Sequence, residues 1–487
     1  MFRREKKVYI ERVKNILIVV LSFTAVLLLS FFWQDVSLED LNPINLDDSS
    51  ENSYIPEVEE LVHPKYILFN YGTELYTILR AGDSYGEHTV YDEVKSLVRA
   101  YMENASSCEK IEADQYQEVM SYASFNMRFE YNIPLAEYLD RCDITSSVSL
   151  NEIPEITSIG FSSASGENLF IRDRKTDAYY RVILEDEEKI SELSGRVNDF
   201  IKAVEQSSSV PYYNVSNIVG VENDALMPLY MPAYVTQISG EKEFSIGDQT
   251  EISQIASAFF ASGLDFVRKI TENKGSILYM YGSSQSLLME EDGSLKYDEK
   301  LGNYSYQTSD FYGSLEAVID YVGRHGGWEN LYQSGMKPYL KAAEPVESSD
   351  CKGYRFEFGL EYDGVDVEYT GGVILSAEVY GSQITSYQRD ILIVSEPENA
   401  VEEWYAMAPI DILTNNYEKI CSIVSTGTFE EMTADIQSIK FCCMRDEEND
   451  PLKIKPAWLI IMNGGHKLWF DAEDGTLLSY REGAEVK

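Results

Sequence analysis

Residues 16–33 form an apolar run, ILIVVLSFTAVLLLSFFW, that contains no charged residue. As an α-helix with a rise of about 1.5 Å per residue, this run would extend roughly 27 Å, enough to cross the hydrocarbon core of a bilayer. A cleaved signal peptide is the alternative, but its apolar core is usually about 7–15 residues long and precedes a small-residue cleavage site. Because this run is longer and ends in Phe31-Phe32-Trp33, we predict an uncleaved transmembrane helix over residues 16–33.

Charge is distributed unevenly about this run. Residues 1–15 contain six basic and two acidic residues, whereas nine acidic residues and no basic residue lie from Asp35 to Glu60. The positive-inside rule therefore predicts that residues 1–15 are a cytoplasmic tail and that the C-terminal domains are extracellular. No later segment is long and apolar enough to cross again, so the sequence predicts a single-pass protein of the cell membrane.

The net charge restricts the class of partner. The whole chain has a formal charge of −42. Such a surface repels nucleic acid and anionic lipid headgroups, so nucleic-acid binding is excluded on electrostatic grounds.

The remaining sequence predicts an α+β protein. A hydrophobic content of 44%, with 35 Tyr and 20 Phe, is typical of folded domains. Helical periodicity and period-two alternation interleave without regular βαβ units, which favours antiparallel sheets with packed helices. We predict two to three extracytoplasmic domains. The predicted divisions are an acidic linker over 34–60, an N-terminal domain over 61–208, a middle domain over 209–330 and a C-terminal domain over 331–487.

Several elements are predicted individually. Residues 187–204 carry an apolar stripe at helical spacing, and residues 315–322 do so with Ser314 as a candidate N-cap. A helix near residues 400–413 is expected to break or kink at Pro409. Strict alternation on both sides of Asp363-Gly364 predicts a β-hairpin.

The acidic stretch KLWFDAEDGTLLSY, residues 467–480, invites interpretation as a cation loop. In an EF-hand-like loop that starts at Asp471, the glycine would stand at position 6 and an acid at position 12. Here Gly475 stands at position 5, one residue too early for the turn of such a loop. The spacing therefore predicts a hairpin that turns at Asp474-Gly475, and no metal site.

Catalytic and cofactor motifs are not recognisable. The four histidines are isolated from one another and from cysteines at ligand spacing, and no G-x-S-x-G, H-E-x-x-H or P-loop pattern occurs. We therefore predict a protein that is not an enzyme and has no catalytic residue, cofactor or metal. A hydrolase that uses His325 or His466, each in a glycine-rich turn, stays open as an alternative.

The six cysteines do not determine a disulfide pattern, because 15 pairings are possible. Buried free thiols are the interpretation that we favour for most of them. Adjacent Cys442-Cys443 on a predicted strand would face opposite sides, so at most one of them is expected to point into the core.

A lone membrane helix can be a plain anchor, or it can pair with other helices. Ser22 and Ala25 place small residues on one helix face, and Leu29 follows a turn later. This face would allow close approach of a partner helix, although the GxxxG pattern is absent.

The order of motifs resembles the YycH family of low-GC Gram-positive bacteria, whose smaller relative is YycI. The resemblance is carried by FVRKITENKGSILYMYGSSQSLLMEEDGSLKY (266–297), by GYRFEFGLEYDGVDV (353–367) with ITSYQRDIL after it, and by PAWLIIMNGGHKLWFDAEDG (456–475). The closing hairpin is also similar to PepSY-type domains. Tyr281-Gly282 departs from the family in lacking an Asp before the glycine.

The resemblance implies a non-enzymatic regulator of a two-component system. Its partners would be a sensor histidine kinase of the WalK/YycG type, which controls cell-wall metabolism, and a YycI-like protein; a homodimer is a further possible arrangement. Contacts would run through the transmembrane helix and the exterior domains. The alternative function is a cell-envelope module that binds peptidoglycan or protein without a kinase partner, for which the aromatic richness is the support.

Overall fold

The computed structural model describes residues 54–483 with the exception of 86–87, 151–152, 166–167, 174, 208, 262, 273–274, 303–309, 349–350, 395–402 and 447–449. The described chain is a mixed α+β protein whose sheets are almost entirely antiparallel, so the predicted fold class is confirmed at this level. The helices span Val58–Leu61, Val90–Glu103, Ala113–Met120, Leu135–Arg141, Glu187–Glu205, Val215–Val219, Gln249–Ala258, Phe311–Arg324, Gly327–Gln333, Pro409–Val424 and Phe429–Ala434, and Ser163–Ser165 form a 3-10 turn.

The first large sheet, here called the N-terminal sheet, has nine antiparallel strands. In spatial order they are Leu226–Pro228, Pro211–Asn214, Leu75–Leu79, Tyr66–Asn70, Ser124–Pro134, Glu155–Ser162, Asn168–Asp173, Ala178–Ile183 and Ser107–Ile111. Successive hairpins account for most of the order, as expected for an antiparallel meander.

Two long helices pack with the N-terminal sheet. Val90–Glu103 is capped by the Thr89 side chain, which accepts from the Asp92 main-chain N–H. Glu187–Glu205 is capped by Asp186 in the same way. Each presents one apolar stripe to the core, where burial of such a stripe supplies most of the stability of a helix.

The second large sheet, here called the C-terminal sheet, has fifteen strands. In spatial order the main path is Arg268–Thr271, Ile277–Tyr281, Gln285–Met289, Leu295–Glu299, Gln383–Arg389, Leu375–Tyr380, Cys351–Tyr362, Val365–Tyr369, Ile436–Asp446, Asp450–Met462, Ile238–Lys242 and Leu392–Val394. Met336–Ser348 pairs with Cys351–Tyr362, and Lys467–Asp471 lies between Asp450–Met462 and Leu477–Arg481. Val365–Tyr369 and Ile436–Asp446 pair in parallel and join the two halves of this sheet.

Two short ribbons complete the described strands. Met231–Ala233 pairs with Trp404–Ala406, and Ser84–Tyr85 pairs with His88–Thr89.

The sheets cut across the predicted middle region, residues 209–330. Its strands Pro211–Asn214 and Leu226–Pro228 belong to the N-terminal sheet, whereas its strands from Ile238–Lys242 onwards belong to the C-terminal sheet. The predicted boundary at 330 lies within the helix Gly327–Gln333 and divides the C-terminal sheet, because Leu295–Glu299 before it pairs with Gln383–Arg389 after it. Such long-range pairings have no local sequence signal, and the division into three exterior domains stays a prediction.

Two helix starts differ from the prediction. The helix predicted over 315–322 begins at Phe311, and its N-cap is Asp310, which accepts from the Gly313 N–H, and not Ser314. Pro409 does not kink a helix but opens one, Pro409–Val424. Proline is well suited to the first helical position, because its missing N–H would have no helical partner there.

Cys442 and Cys443 face opposite sides of their strand, but both are buried. Cys443 belongs to the main core, and Cys442 belongs to a small cluster with Trp469 on the other face. The expectation that at most one of them points into a core was wrong, because this strand is covered on both faces.

Candidate functional site

The predicted partner-binding face, Ser22, Ala25 and Leu29, lies outside the described residues, as do the predicted tail over 1–15 and the predicted transmembrane helix over 16–33. Among the residues that the structure does describe, no helix is both long and apolar enough to cross a bilayer. The candidate site lies where the chain enters its folded part, at residues 54–62.

The first described residues, 54–62, are here called the leading segment. They include the helix Val58–Leu61, whose two end residues are buried. The Tyr54 ring lies against the ring of Tyr332 with centroids 3.7 Å apart, and Glu59 accepts from Arg141 at 2.5 Å. The last seven residues of the predicted linker, 54–60, are thus packed on the folded part, contrary to the prediction.

The two sheets with their helices, here called the N-terminal and C-terminal parts, meet at a junction. There the helix Leu135–Arg141 of the N-terminal part contacts the helix Phe311–Arg324 of the C-terminal part. The Glu137 carboxylate accepts from the main-chain N–H groups of Phe311 at 2.9 Å and Tyr312 at 3.3 Å. Burial raises the pKa of Glu137, and these two hydrogen bonds oppose that rise. The carboxylate complements the positive end of the helix dipole across the junction.

A second junction contact is the ion pair of Lys65 with Asp366, whose side chains are only 9% and 15% exposed. The Lys65 ammonium also lies 3.8 Å from the centroid of the Tyr339 ring. Burial alone would raise the pKa of Asp366, but the Lys65 ammonium outweighs it and holds that pKa below its usual value. The pair joins the residue before the strand Tyr66–Asn70 of the N-terminal sheet to the strand Val365–Tyr369 of the C-terminal sheet.

A groove of about 460 Å³, here called the tyrosine groove, includes Tyr312 in its lining. Its walls come from the leading segment, the helix Val90–Glu103, the C-terminal end of Leu135–Arg141 and the residue Tyr312. Tyr91 and Tyr138 lie within it with their hydroxyl oxygens 3.4 Å apart. Burial raises the pKa of both tyrosines, so their hydroxyls stay neutral at physiological pH.

The charged side chains that line the tyrosine groove are Glu59, Asp92, Lys95, Arg99, Arg141 and Asp143. Three are acidic and three are basic, so the groove is locally balanced in a chain with a net charge of −42. Arg141 contacts two carboxylates and Lys95 contacts Asp92. Arg99 has no carboxylate within 4 Å among the described residues, and its guanidinium donates to the Cys142 carbonyl at 2.8 Å.

Sequence reasoning did not find this groove. Lys95 and Arg99 stand four residues apart in the helix Val90–Glu103, and this spacing is a usable signal for neighbouring cations on one helix face. Tyr312 comes from a distant segment, and no local pattern places it beside them.

The two histidines of the hydrolase hypothesis are bonded to the main chain. His325 Nδ1 lies 2.6 Å from the Tyr321 carbonyl oxygen, and its Nε2 lies 3.1 Å from that of Ala258. Burial lowers the pKa of His325 to about 4. His466 Nδ1 accepts from the Gly483 N–H at 3.3 Å. The described contacts therefore engage both rings in structural hydrogen bonds.

The acidic stretch near the C-terminus forms the predicted hairpin, with Lys467–Asp471 paired to Leu477–Arg481. Asp474 Oδ1 accepts from the Thr476 N–H at 2.9 Å, and this bond lowers the pKa of Asp474. Gly475 adopts φ +75°, a conformation that favours glycine. No group of three or more His, Cys, Asp or Glu side chains suited to a metal is found in the described part of the chain.

Comparison with models of known families and with curated proteins gives no match. Among solved structures, the chain is similar to YycH from Bacillus subtilis, with 15% sequence identity, a TM-score of 0.48 and coverage of 84% of this chain and 96% of that chain. It is also similar to the C-terminal domain of YpeB from Bacillus megaterium, with 8% identity, a TM-score of 0.24 and coverage of 50% and 100%. The predicted resemblance to YycH is confirmed as a structural similarity at low identity.

Proposed function

We propose that this chain is a membrane-anchored, non-enzymatic extracytoplasmic regulator of a sensor histidine kinase of the WalK type, and so of cell-wall metabolism. Its predicted transmembrane helix and its exterior domains contact the kinase, with a YycI-like protein as a further partner.

The observation that carries the proposal is the placement of the three segments whose motifs resemble the family. Residues 266–297, 353–367 and 456–475 contribute strands to one sheet, the C-terminal sheet. Single hairpins with Asp-Gly turns are common and say little about ancestry. A common fold requires that the three segments occur in the family's order and belong to one sheet. Both conditions are met, and this supports the resemblance.

The leading segment supplies a physical route for regulation. It contacts the N-terminal part through Arg141 and the C-terminal part through Tyr332, so the exterior holds it at two points. An exterior that prefers one conformation of the kinase would bias the two-state equilibrium of the kinase through the attached helix. The size of that bias is the coupling free energy between exterior and kinase.

The test replaces residues 16–33 by an unrelated apolar helix of equal length in the full chain. Kinase association, measured by co-purification from membranes, is expected to fall to background while membrane insertion is retained. Unchanged association and unchanged signalling output would contradict the helix-contact mechanism.

A matched pair of substitutions tests the predicted face. Ser22→Leu with Ala25→Leu fills the small-residue surface and is expected to weaken association. Thr24→Leu adds bulk on a different side of the helix, because residues are about 100° apart around the axis, and is expected to leave association intact. Equal effects of the two changes would remove the assigned face.

A cell-envelope binding module is the second candidate, favoured by a cluster of exposed tyrosines at the Met231–Ala233 ribbon. Tyr230, Tyr234 and Tyr405 are 47%, 54% and 65% exposed. Exposed aromatic clusters mark interaction surfaces. Binding of the full chain to purified peptidoglycan that is lost on replacing all three by serine, together with no kinase complex in membranes, would favour this candidate.

A further inference from the structure

The tyrosine groove carries three basic and three acidic side chains, on a chain whose net charge is −42. Of its three cations, Arg99 is the one that lacks a carboxylate partner among the described residues. A guanidinium offers several N–H donors in a planar fork, and within the described part of the chain Arg99 uses one of them, in its hydrogen bond to the Cys142 carbonyl. The remaining donors suit a carboxylate or phosphate, which an arginine can bind bidentately.

Lys95 lies one helical turn before Arg99 and therefore on the same side of its helix. Its ammonium is 3.0 Å from Asp92, but the two side chains are 37% and 55% exposed. An exposed ion pair of this kind contributes little to the free energy of folding. A ligand oxygen can therefore take the place of the Asp92 carboxylate beside the Lys95 ammonium with little loss of stability. The two cations together form one anion-binding wall.

The rest of the groove is suited to an apolar body. Val58, Val62 and Ile144 line it together with the rings of Tyr91 and Tyr312. A volume of about 460 Å³ lies within the range of small-molecule sites, which commonly combine apolar walls with a few polar groups.

We propose that the tyrosine groove binds a small organic anion, with its carboxylate or phosphate on Arg99 and Lys95 and its apolar body against the tyrosine rings. This inference goes beyond the regulation of a kinase and does not depend on it. Val58 and Glu59 of the leading segment form part of the wall, so the bound anion bridges this segment to the helix Val90–Glu103.

The experiment uses the full chain in nanodiscs and three probes of similar shape: phenylacetate, phenyl phosphate and phenethylamine. Binding is measured by saturation-transfer NMR and dissociation constants by titration. At least one of the two anions is expected to bind saturably and more tightly than the amine. Comparison of the two anions shows whether a carboxylate or a phosphate is preferred.

Variants locate the binding. Arg99→Gln is expected to weaken anion binding at least about tenfold, since hydrogen bonds to charged groups are among the stronger ones. Arg99→Lys should retain part of it, and Lys95→Gln provides a second variant at the same wall. Arg181→Gln is the matched control, because Arg181 is a partly exposed arginine that pairs with Glu109 on the N-terminal sheet. It should leave binding unchanged.

Hydrogen exchange measures the bridging. The bound anion is expected to slow amide exchange in residues 54–62. The proposal is overturned by no saturable binding of either anion, by tighter binding of phenethylamine, by wild-type affinity in both Arg99→Gln and Lys95→Gln, or by unchanged exchange in the leading segment. Each result is independent of kinase association.

Discussion

Replacement of Lys65 by methionine should weaken the junction between the two sheets. Lys65 and Asp366 are both largely buried, and loss of one partner of a buried pair costs about 3–5 kcal/mol. Arg80 and Lys440 still lie near enough to favour the Asp366 carboxylate, which places the expected loss at the low end, about 3 kcal/mol.

The reciprocal change, Asp366→Asn, should cost less, about 1–2 kcal/mol. Lys65 keeps Glu361 at 3.9 Å and the Tyr339 ring at 3.8 Å. The double variant should lose less than the sum of the single losses, with a coupling free energy of about 1–2 kcal/mol.

The contribution of the Lys65 and Asp366 pair depends on pH in a defined direction. The pKa of Asp366 is lowered from 3.8 in the folded protein. The stabilisation is therefore fully present above pH 3.8 and is lost as the pH falls through the lower folded pKa. The difference between wild type and Lys65→Met should be full at neutral pH and should shrink in strong acid.

The assay is urea unfolding of the full chain in detergent, followed by tryptophan fluorescence. Lys296→Met is the control, because Lys296 and Asp298 form a pair in which both side chains are at least half exposed. It should change the free energy of unfolding by about 0.5 kcal/mol or less. Equal losses for Lys65→Met and Lys296→Met, or a coupling free energy near zero, would refute the reasoning.

Three further predictions concern single positions. Burial lowers the pKa of His325 from 6.5 to about 4, so the unfolded chain binds a proton at this residue more readily than the folded protein does. The free energy of unfolding should therefore be highest above pH 6.5 and should fall by at most about 3 kcal/mol as the pH decreases towards 4. His325→Gln should flatten this pH dependence in urea titrations over about pH 4–7. Gly353→Ala should destabilise by about 1–3 kcal/mol, because the added carbon would lie 2.1 Å from a carbonyl oxygen, whereas Gly195→Ala, in open space on a helix, should stabilise by up to about 1 kcal/mol in thermal unfolding. Asp310→Ala should lower the free energy of unfolding by about 0.5–2 kcal/mol, because it removes the N-cap of the helix Phe311–Arg324. Ser314→Ala should be close to neutral, because the buried hydroxyl that it removes has no hydrogen-bond partner in the described structure. Equal losses for the two variants would contradict the observed cap.

Local chemistry made part of the fold predictable from the sequence. Asp363-Gly364 turns a hairpin because aspartate tolerates a positive φ and glycine, without a Cβ, adopts it freely, and both residues have a positive φ. The apolar stripe over 187–204 likewise predicted the helix Glu187–Glu205.

Long-range contacts were not predictable. The parallel pairing of Val365–Tyr369 with Ile436–Asp446 joins segments that are far apart in the chain, and no turn residue specifies it. The tyrosine groove depends in the same way on Tyr312, which reaches Tyr138 and Arg141 only after the two parts have packed. The predicted start of the helix at Leu315 was wrong because Asp310, and not Ser314, is its N-cap.

Cross-linking of the full chain in intact membranes, followed by mass-spectrometric identification of the partners, tests the proposed function most directly. The proposal predicts that a sensor histidine kinase is recovered, with cross-links to residues 16–33, and that a YycI-like protein accompanies it. Recovery of cell-envelope components without any histidine kinase would contradict it.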